Sequence, residues 1–372
     1  MPAMFRVSCL CGAVSQDVAA RIPESGDVEL TLGHGDVERH SSGTLCVSYY
    51  PIQTPQFDKG TSKHVGADGW TRHLCSTCGC HVFRARAGDR EYVWEVATGV
   101  FNDDDMKPSA RYVRHSSVSD TKDGGASIWL SDIDGQTLNA DLSDPWSTQD
   151  EEPAPPSPSD ILPASCSCGT VGFHITRPDV ASYAPHSGYP DLQYAACRHS
   201  ADFMSNPRDE KWWIRGDSGE KYLAGACACR SCRLASGFEI QTWAFVPRSN
   251  IFIHLPTIDG QTIPTPLDFS TLPPGILQTY RSSPGVMREF CGGCGATVFW
   301  HDEARPGVVD VSAGLLRAPE GAKAGTWLDW WTARCSHAEE ADRGRTGVAA
   351  RVARTLVEGL ERGLLRSSKG QE

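Results

Sequence analysis

The stretch Cys227-Ala228-Cys229-Arg230-Ser231-Cys232 sets three thiols within six residues. Zinc is tetrahedral and takes thiolate sulfur readily, so three close cysteines can fill three corners of one ion. The fourth corner is then left to water, substrate or a distant side chain. Three protein ligands beside an open position mark catalytic zinc, whereas structural zinc is usually closed by four. The triplet is therefore the expected seat of chemistry. Its rival is a closed site, with Cys197, Cys335 or His254 in the fourth corner. Three thiolates leave the ion with net negative charge, a weak Lewis acid and a poor source of hydroxide. A thiol arriving as fourth ligand would lose its proton to the metal. It could then attack an electrophilic carbon, or leave from one in reverse. Arg230 and Arg233 flank the triplet and could receive substrate carboxylates, with ordinary surface arginine as the plainer reading.

The elements that must hold this site show in a repeat. Cys9-Leu10-Cys11-Gly12-Ala13-Val14 returns as Cys166-Ser167-Cys168-Gly169-Thr170-Val171, and Cys75-x-x-Cys78-Gly79 returns as Cys291-x-x-Cys294-Gly295. Two patterns recurring in one order imply a tandem duplication. On a strand, residues i and i+2 share a face, so Cys-x-Cys is expected to put both sulfurs on one side. Cys-x-x-Cys-Gly reads as a knuckle whose glycine takes the positive φ that closes a turn around a metal. Cys9, Cys11, Cys75 and Cys78 then form one closed structural site, and Cys166, Cys168, Cys291 and Cys294 a second. The total of 15 cysteines is odd, so disulfides could not use them all. In a reduced cytosol, close spacings read better as metal ligands. Cys46 and Cys80 are left over as small buried hydrophobes.

The 372 residues suffice for two or three domains. With 40% hydrophobic and 22% charged residues the composition is that of a soluble globular protein. A net charge of -11 argues against a nucleic-acid partner, and no apolar run is long enough for a membrane span. The N-terminus carries no secretory or transit signal, so the expected location is cytoplasmic. The Pro/Ser/acidic stretch at 143–162 reads as a linker. Local signals favour strands, as at Tyr92–Val96, Ile240–Val246 and Val308–Val311. Near the end, Val348, Val352, Leu356, Leu360 and Leu364 recur every fourth position, which predicts a helix docked on its own domain. The alternative is a dimer helix, disfavoured by Gly359 and Gly363, which each cost about 1 kcal/mol in a helix.

Taken together, Cys-x-Cys-Gly, then Cys-x-Cys-x-x-Cys-Arg with Ser236-Gly237 behind it, then Cys-x-x-Cys-Gly make the second half resemble the glutathione-dependent formaldehyde-activating enzymes. Tyr280-Arg281-Ser282-Ser283 is similar to that family's Tyr-x-Ser-Ser element. The match covers about residues 163–335, and residues 5–118 in weakened form. The resemblance implies a mainly β fold of two tandem Mss4-like zinc-binding domains with a C-terminal helix. It implies three zinc ions per chain, two structural and one catalytic at Cys227, Cys229 and Cys232. It further implies carbon–sulfur lyase chemistry between a thiol and an aldehyde, with glutathione as candidate co-substrate and formaldehyde as the electrophile. Tyr280, Ser282 and Ser283 would donate hydrogen bonds near the oxyanion, or serve as plain strand residues.

The expected organisation is a degenerate copy at 1–142, the linker at 143–162, an intact catalytic copy at 163–340, and a helix and tail at 341–372. Aligning Arg39 and Ser42-Gly43 with Arg233 and Ser236-Gly237 puts Gly33, Gly35 and Glu38 where the second copy has its triplet. Two glycines and a carboxylate cannot hold zinc. His34, Asp36 and His40 lie nearby and could form a different site, but with no ligand spacing behind them they read as solvated loop residues. From Cys11 to Gly33 is 22 residues but from Cys168 to Cys227 is 59, so the second copy carries an insertion at 181–222. That insertion, with its Lys211-Trp212-Trp213 run, either roofs the metal and shapes a pocket or is a surface excursion. Two further functions stay open: a non-catalytic, zinc-stabilised scaffold, and an enzyme of the same fold acting on a larger specialised-metabolism substrate. The expected partners are a small thiol and an aldehyde-type molecule, with room for a homodimer.

Overall fold

A computed structural model describes residues 3–23, 26–56, 60–104, 110–140, 157 and 159–369. The chain is mainly β and ends in a helix. Most of the expected linker lies outside the described residues, and its last two positions belong to the strand Ile161–Ser165.

The repeat written in cysteines recurs in the topology. In the first half, one sheet runs Tyr49–Ile52, Tyr92–Ala97, His81–Ala87, Thr71–Cys75, Thr61–Val65. In the second, the run Gln241–Pro247, Val308–Ser312, Thr297–Asp302, Val286–Phe290, Gln278–Ser283 follows the same order. Here the sheet is extended by Lys221–Cys227, which pairs in parallel with Leu328–Trp330. Its first-half counterpart, Val28–Gly33, likewise pairs in parallel with Ala110–Ser116. Strands such as Gln241–Pro247 and Val308–Ser312 are buried along their whole length. That is why they read as near-continuous apolar runs rather than as alternation.

The Cys-x-Cys pairs do not sit on strands. Cys9 and Cys11 lie in the turn between the strands Met4–Ser8 and Ser15–Ala19, and Cys166 and Cys168 in the equivalent turn. Their sulfurs converge because the turn curls its amides toward them: Val14 N–H donates to Cys9 Sγ at 3.4 Å and Ala13 N–H to Cys11 Sγ at 3.4 Å. The knuckle glycines take the expected positive φ, 73° at Gly79 and 76° at Gly295.

The halves grip each other reciprocally. The helix Asp36–Ser42 of the first half and the helix Arg230–Ser236 of the second each touch the other half's cysteine turn. Leu10 N–H donates to Leu234 O at 3.2 Å, and Ser167 N–H to His40 O at 2.9 Å. Gly99 N–H donates to Gly237 O at 2.9 Å, and Gly314 N–H to Gly43 O at 3.1 Å. Gly43 and Gly237 end their helices at φ of 84° and 83°. A Cβ on Gly43 would lie 2.3 Å from Thr297 O, and one on Gly237 2.3 Å from His81 O. Glycine is thus required twice over, by the left-handed cap and by the close backbone approach. This packing also corrects the expectation of a solvated loop at His34 and His40. Both are buried. His34 Nε2 and His115 Nδ1 lie 2.9 Å apart, and burial pushes the His40 imidazole down to about 3.

The C-terminal helix Gly347–Lys369 forms where the apolar period places it. It docks on the first half rather than on its own, against Phe101–Asp104, Ala110–Ser116 and Asp132–Ile133. The two glycines that weigh against a dimer helix mark this seam. A Cβ at position 359 would lie 2.7 Å from Asp132 O, and one at 363 only 1.7 Å from Trp129 O. Gly363→Ala would stabilise an exposed helix by about 1 kcal/mol. Here it is expected to cost about 1–3 kcal/mol through overpacking. Urea denaturation reads the sign directly.

Candidate metal centre

Cys227 ends the strand Lys221–Cys227. Cys229 is the N-cap of the helix Arg230–Ser236, its Sγ accepting from Cys232 N–H at 3.3 Å. Cys232 follows in the first helical turn. A strand end running into a helix cap therefore gathers all three sulfurs, and they lie within 4.8 Å of one another. Among the described residues no fourth Cys, His, Asp or Glu atom joins them. Of the rival ligands, Cys197 is exposed beside Glu339. His254 Nε2 lies 2.8 Å from His174 Nδ1 on another sheet. Cys335 is buried outside the group.

The two four-cysteine groups assemble as the spacing predicts. Their sulfurs stand 3.5 Å apart for Cys9–Cys11 and Cys11–Cys75, 3.4 Å for Cys168–Cys291 and 3.7 Å for Cys166–Cys291. A disulfide would need about 2.05 Å. The edge of a tetrahedron with bonds of about 2.3 Å is about 3.8 Å, close to what is seen. The donor sets thus fit metal ions such as zinc.

The triplet opens on a cavity of about 760 Å³, lined by Cys227, Cys229 and Cys232. Arg288, on the strand Val286–Phe290, is buried against it. Its Nη1 donates to Cys232 Sγ at 3.6 Å and its Nη2 to Ser231 Oγ at 3.1 Å. Burial alone would lower this guanidinium's pKa, but the Cys232 and Cys229 sulfurs beside it raise it. Farther out, Arg305 is ion-paired to Asp310 and lies 5.0 Å over the Trp300 ring. The insertion supplies one wall through Tyr189, Asp191 and Leu192. Asp191 clamps that wall to the chain behind the triplet, accepting from Ser336 Oγ at 3.0 Å, His337 N–H at 2.8 Å and Arg334 Nη1 at 3.1 Å. Asp191, His337 and Glu339 also form a cluster. Arg334 lies 3.1 Å from Asp191 and 3.7 Å from Glu339, so that cluster is neutralised from within.

The other expected site residues are divided. Ser282 and Ser283 line the cavity. Tyr280 does not; it packs against the core that holds Cys9, Cys11, Cys75 and Cys78. Arg233 is wholly buried and donates to Gly99 O, to Phe101 O at 3.2 Å and to Arg343 O at 3.0 Å. Arg230 is exposed, outside the cavity, with its amide on Glu340 Oε2 at 3.1 Å. The arginine that reaches the sulfurs is Arg288, and the repeat carried its signal: Arg72 and Arg288 each stand three residues ahead of a knuckle. Arg72 is occupied by Asp68, at 2.9 Å.

At the corresponding place in the first half, Glu38 accepts from Arg84 Nη1 at 3.0 Å. Arg84 Nε also donates to Glu95 at 2.6 Å, and its guanidinium stacks 3.8 Å over Tyr49 and 4.1 Å over Trp70. An ion pair between aromatic rings fills the space where the second half has its sulfurs. Among the described residues, no metal-ligand group forms there. No family model, curated protein or solved structure matches this chain.

Proposed function

We propose that the chain is a zinc protein of two Mss4-like copies, and that the triplet of the second copy catalyses carbon–sulfur lyase-type chemistry. One observation carries this reading: three sulfurs face a cavity of about 760 Å³, and among the described residues no fourth ligand is in reach. Cys227, Cys229 and Cys232 would hold one ion, and the two four-cysteine groups one structural ion each. Zinc at such a site lowers the pKa of a thiol and so makes it a nucleophile at neutral pH.

The chain's own residues do the rest. Arg288 donates to Cys232 Sγ and draws charge from that sulfur, which favours an incoming thiol over release of the ligand set. In the joining direction the thiol sulfur bonds to the carbonyl carbon and the C=O π pair moves to oxygen. The thiol's proton ends on that oxygen, giving a thiohemiacetal; the lyase direction reverses each step. Ser282 and Ser283, which line the same cavity, would donate to the developing oxyanion. The first copy, its site closed by Glu38 and Arg84, supports the second.

Purified full-length protein is expected to hold three zinc ions by elemental analysis. It should speed exchange between 2-mercaptoethanol with formaldehyde and their adduct at least ~100-fold over buffer, read by exchange NMR. Exchange at the buffer rate with three ions bound would leave the scaffold reading.

A further inference from the structure

The cavity's walls say what kind of molecule it takes. The larger apolar and aromatic residues of its walls are Tyr189, Leu192, Trp243, Phe245, Val286 and Trp300. The charged lining is three carboxylates and two guanidiniums, with Asp191 paired to Arg334 behind the wall, Asp310 to Arg305, and Asp302 and Arg288 completing the set. A dication held by three thiolates adds a further negative charge. Both guanidiniums are engaged, Arg288 on Cys232 and Ser231, Arg305 on Asp310. The two lining histidines stand beside carboxylates, His186 Nδ1 at 3.0 Å from Asp209 and His337 Nε2 at 3.9 Å from Asp191. An anionic peptide thiol with two carboxylates would enter an apolar-walled space and find no uncommitted cation among the described lining residues. Carboxylates desolvated in a recessed site cost affinity unless they find partners.

We infer that the site takes a neutral or cationic thiol with an aromatic body, or its carbon–sulfur adduct, rather than an anionic peptide thiol such as glutathione. This rests on the proposed thiol chemistry and narrows its substrate. The aromatic body lies against Trp300 and Tyr189, where ring contacts add to area burial. The sulfur points to the triplet. The insertion at 181–222 brings Tyr189 and Leu192 to the site, so the substrate's bulk is selected by a segment that the first half lacks.

The full-length protein loaded with cobalt(II) tests this, because sulfur-to-cobalt charge transfer reports thiol binding directly. Four probes are titrated: 2-mercaptoethanol as the bare thiol, 2-phenylethanethiol, glutathione, and glutathione diethyl ester. The aromatic thiol is expected to half-saturate at least ~10-fold below 2-mercaptoethanol and glutathione, with the ester ahead of glutathione. Trp300→Ala and Tyr189→Ala should each remove most of the aromatic thiol's advantage over 2-mercaptoethanol, read as the ratio of their half-saturating concentrations in the same variant. Glutathione saturating at or below the concentration of the aromatic thiol overturns the substrate class while keeping the thiol chemistry. A spectrum that no thiol alters overturns the thiol chemistry itself.

Discussion

Cys294→Ser is expected to unfold the second half, whereas Cys229→Ser is expected to leave the fold standing and remove one metal ion together with activity. Cys294 is wholly buried and shares its group with Cys166, Cys168 and Cys291, which come from the turn at Cys166 and the knuckle at Cys291. Metal binding at such a closed site is folding energy, about 10–16 kcal/mol in small zinc domains. That rivals the whole stability of an ordinary domain, about 5–15 kcal/mol. Cys229 differs in position. It caps a seven-residue helix at the edge of a cavity and is only partly buried. The helix behind it is held by the other half, through Arg233 and the amide of Gly99. Serine retains the capping oxygen, so the helix start should persist. Thermal melting by circular dichroism and metal counting separate the two outcomes. If both variants unfold alike, the triplet is a structural site.

Glu239→Gln is expected to cost about 3–5 kcal/mol, the usual loss when one partner of a buried ion pair is removed. Glu239 lies between the halves, 3% exposed, and is the carboxylate facing two buried arginines. Arg345 approaches it at 3.4 Å and donates onward to Phe101 O at 3.1 Å and Thr98 O at 3.0 Å. Thr98 Oγ1 donates to Glu239 at 2.8 Å. Arg233, which shares the Phe101 carbonyl, has its pKa pushed well down by burial and by the charge of Arg345, with Glu239 opposing. Without the carboxylate, two guanidiniums would face each other across a dry interface. Urea denaturation of Glu239→Gln, and of its combination with Arg345→Met, measures the effect. The double variant should recover part of the loss, since residues in one network are not additive. A single variant within about 0.5 kcal/mol of wild type would show that this network does not hold the halves together.

Much of the metal chemistry was legible in the chain, because ligand spacing is a local property. Cys75-x-x-Cys78 and Cys291-x-x-Cys294 each close a turn within a few residues. Cys227, Cys229 and Cys232 are brought together by one strand end and one helix cap. The strands at Tyr92, Gln241 and Val308 and the terminal helix were legible for the same reason, as period and propensity act over neighbours. The loss of ligands in the first half could be read from Gly33, Gly35 and Glu38 alone.

What sequence could not supply was the use of each side chain once distant segments met. Arg233 looks free beside the triplet, yet two carbonyls of the other half and that of Arg343 consume it. Arg288, 56 positions after Cys232, is the arginine that reaches the sulfurs. Tyr280 and Ser282 are two residues apart, yet Ser282 lines the cavity while Tyr280 packs on the other half's cysteine core. Gly359 and Gly363 spoke only against a dimer helix, and the carbonyls of Asp132 and Trp129 lying against them explain why they are there. Spacing thus determined which atoms could bind a metal. Packing between the two halves decided which of the surrounding charges stay available, because a buried guanidinium must find its acceptors wherever the folded chain puts them.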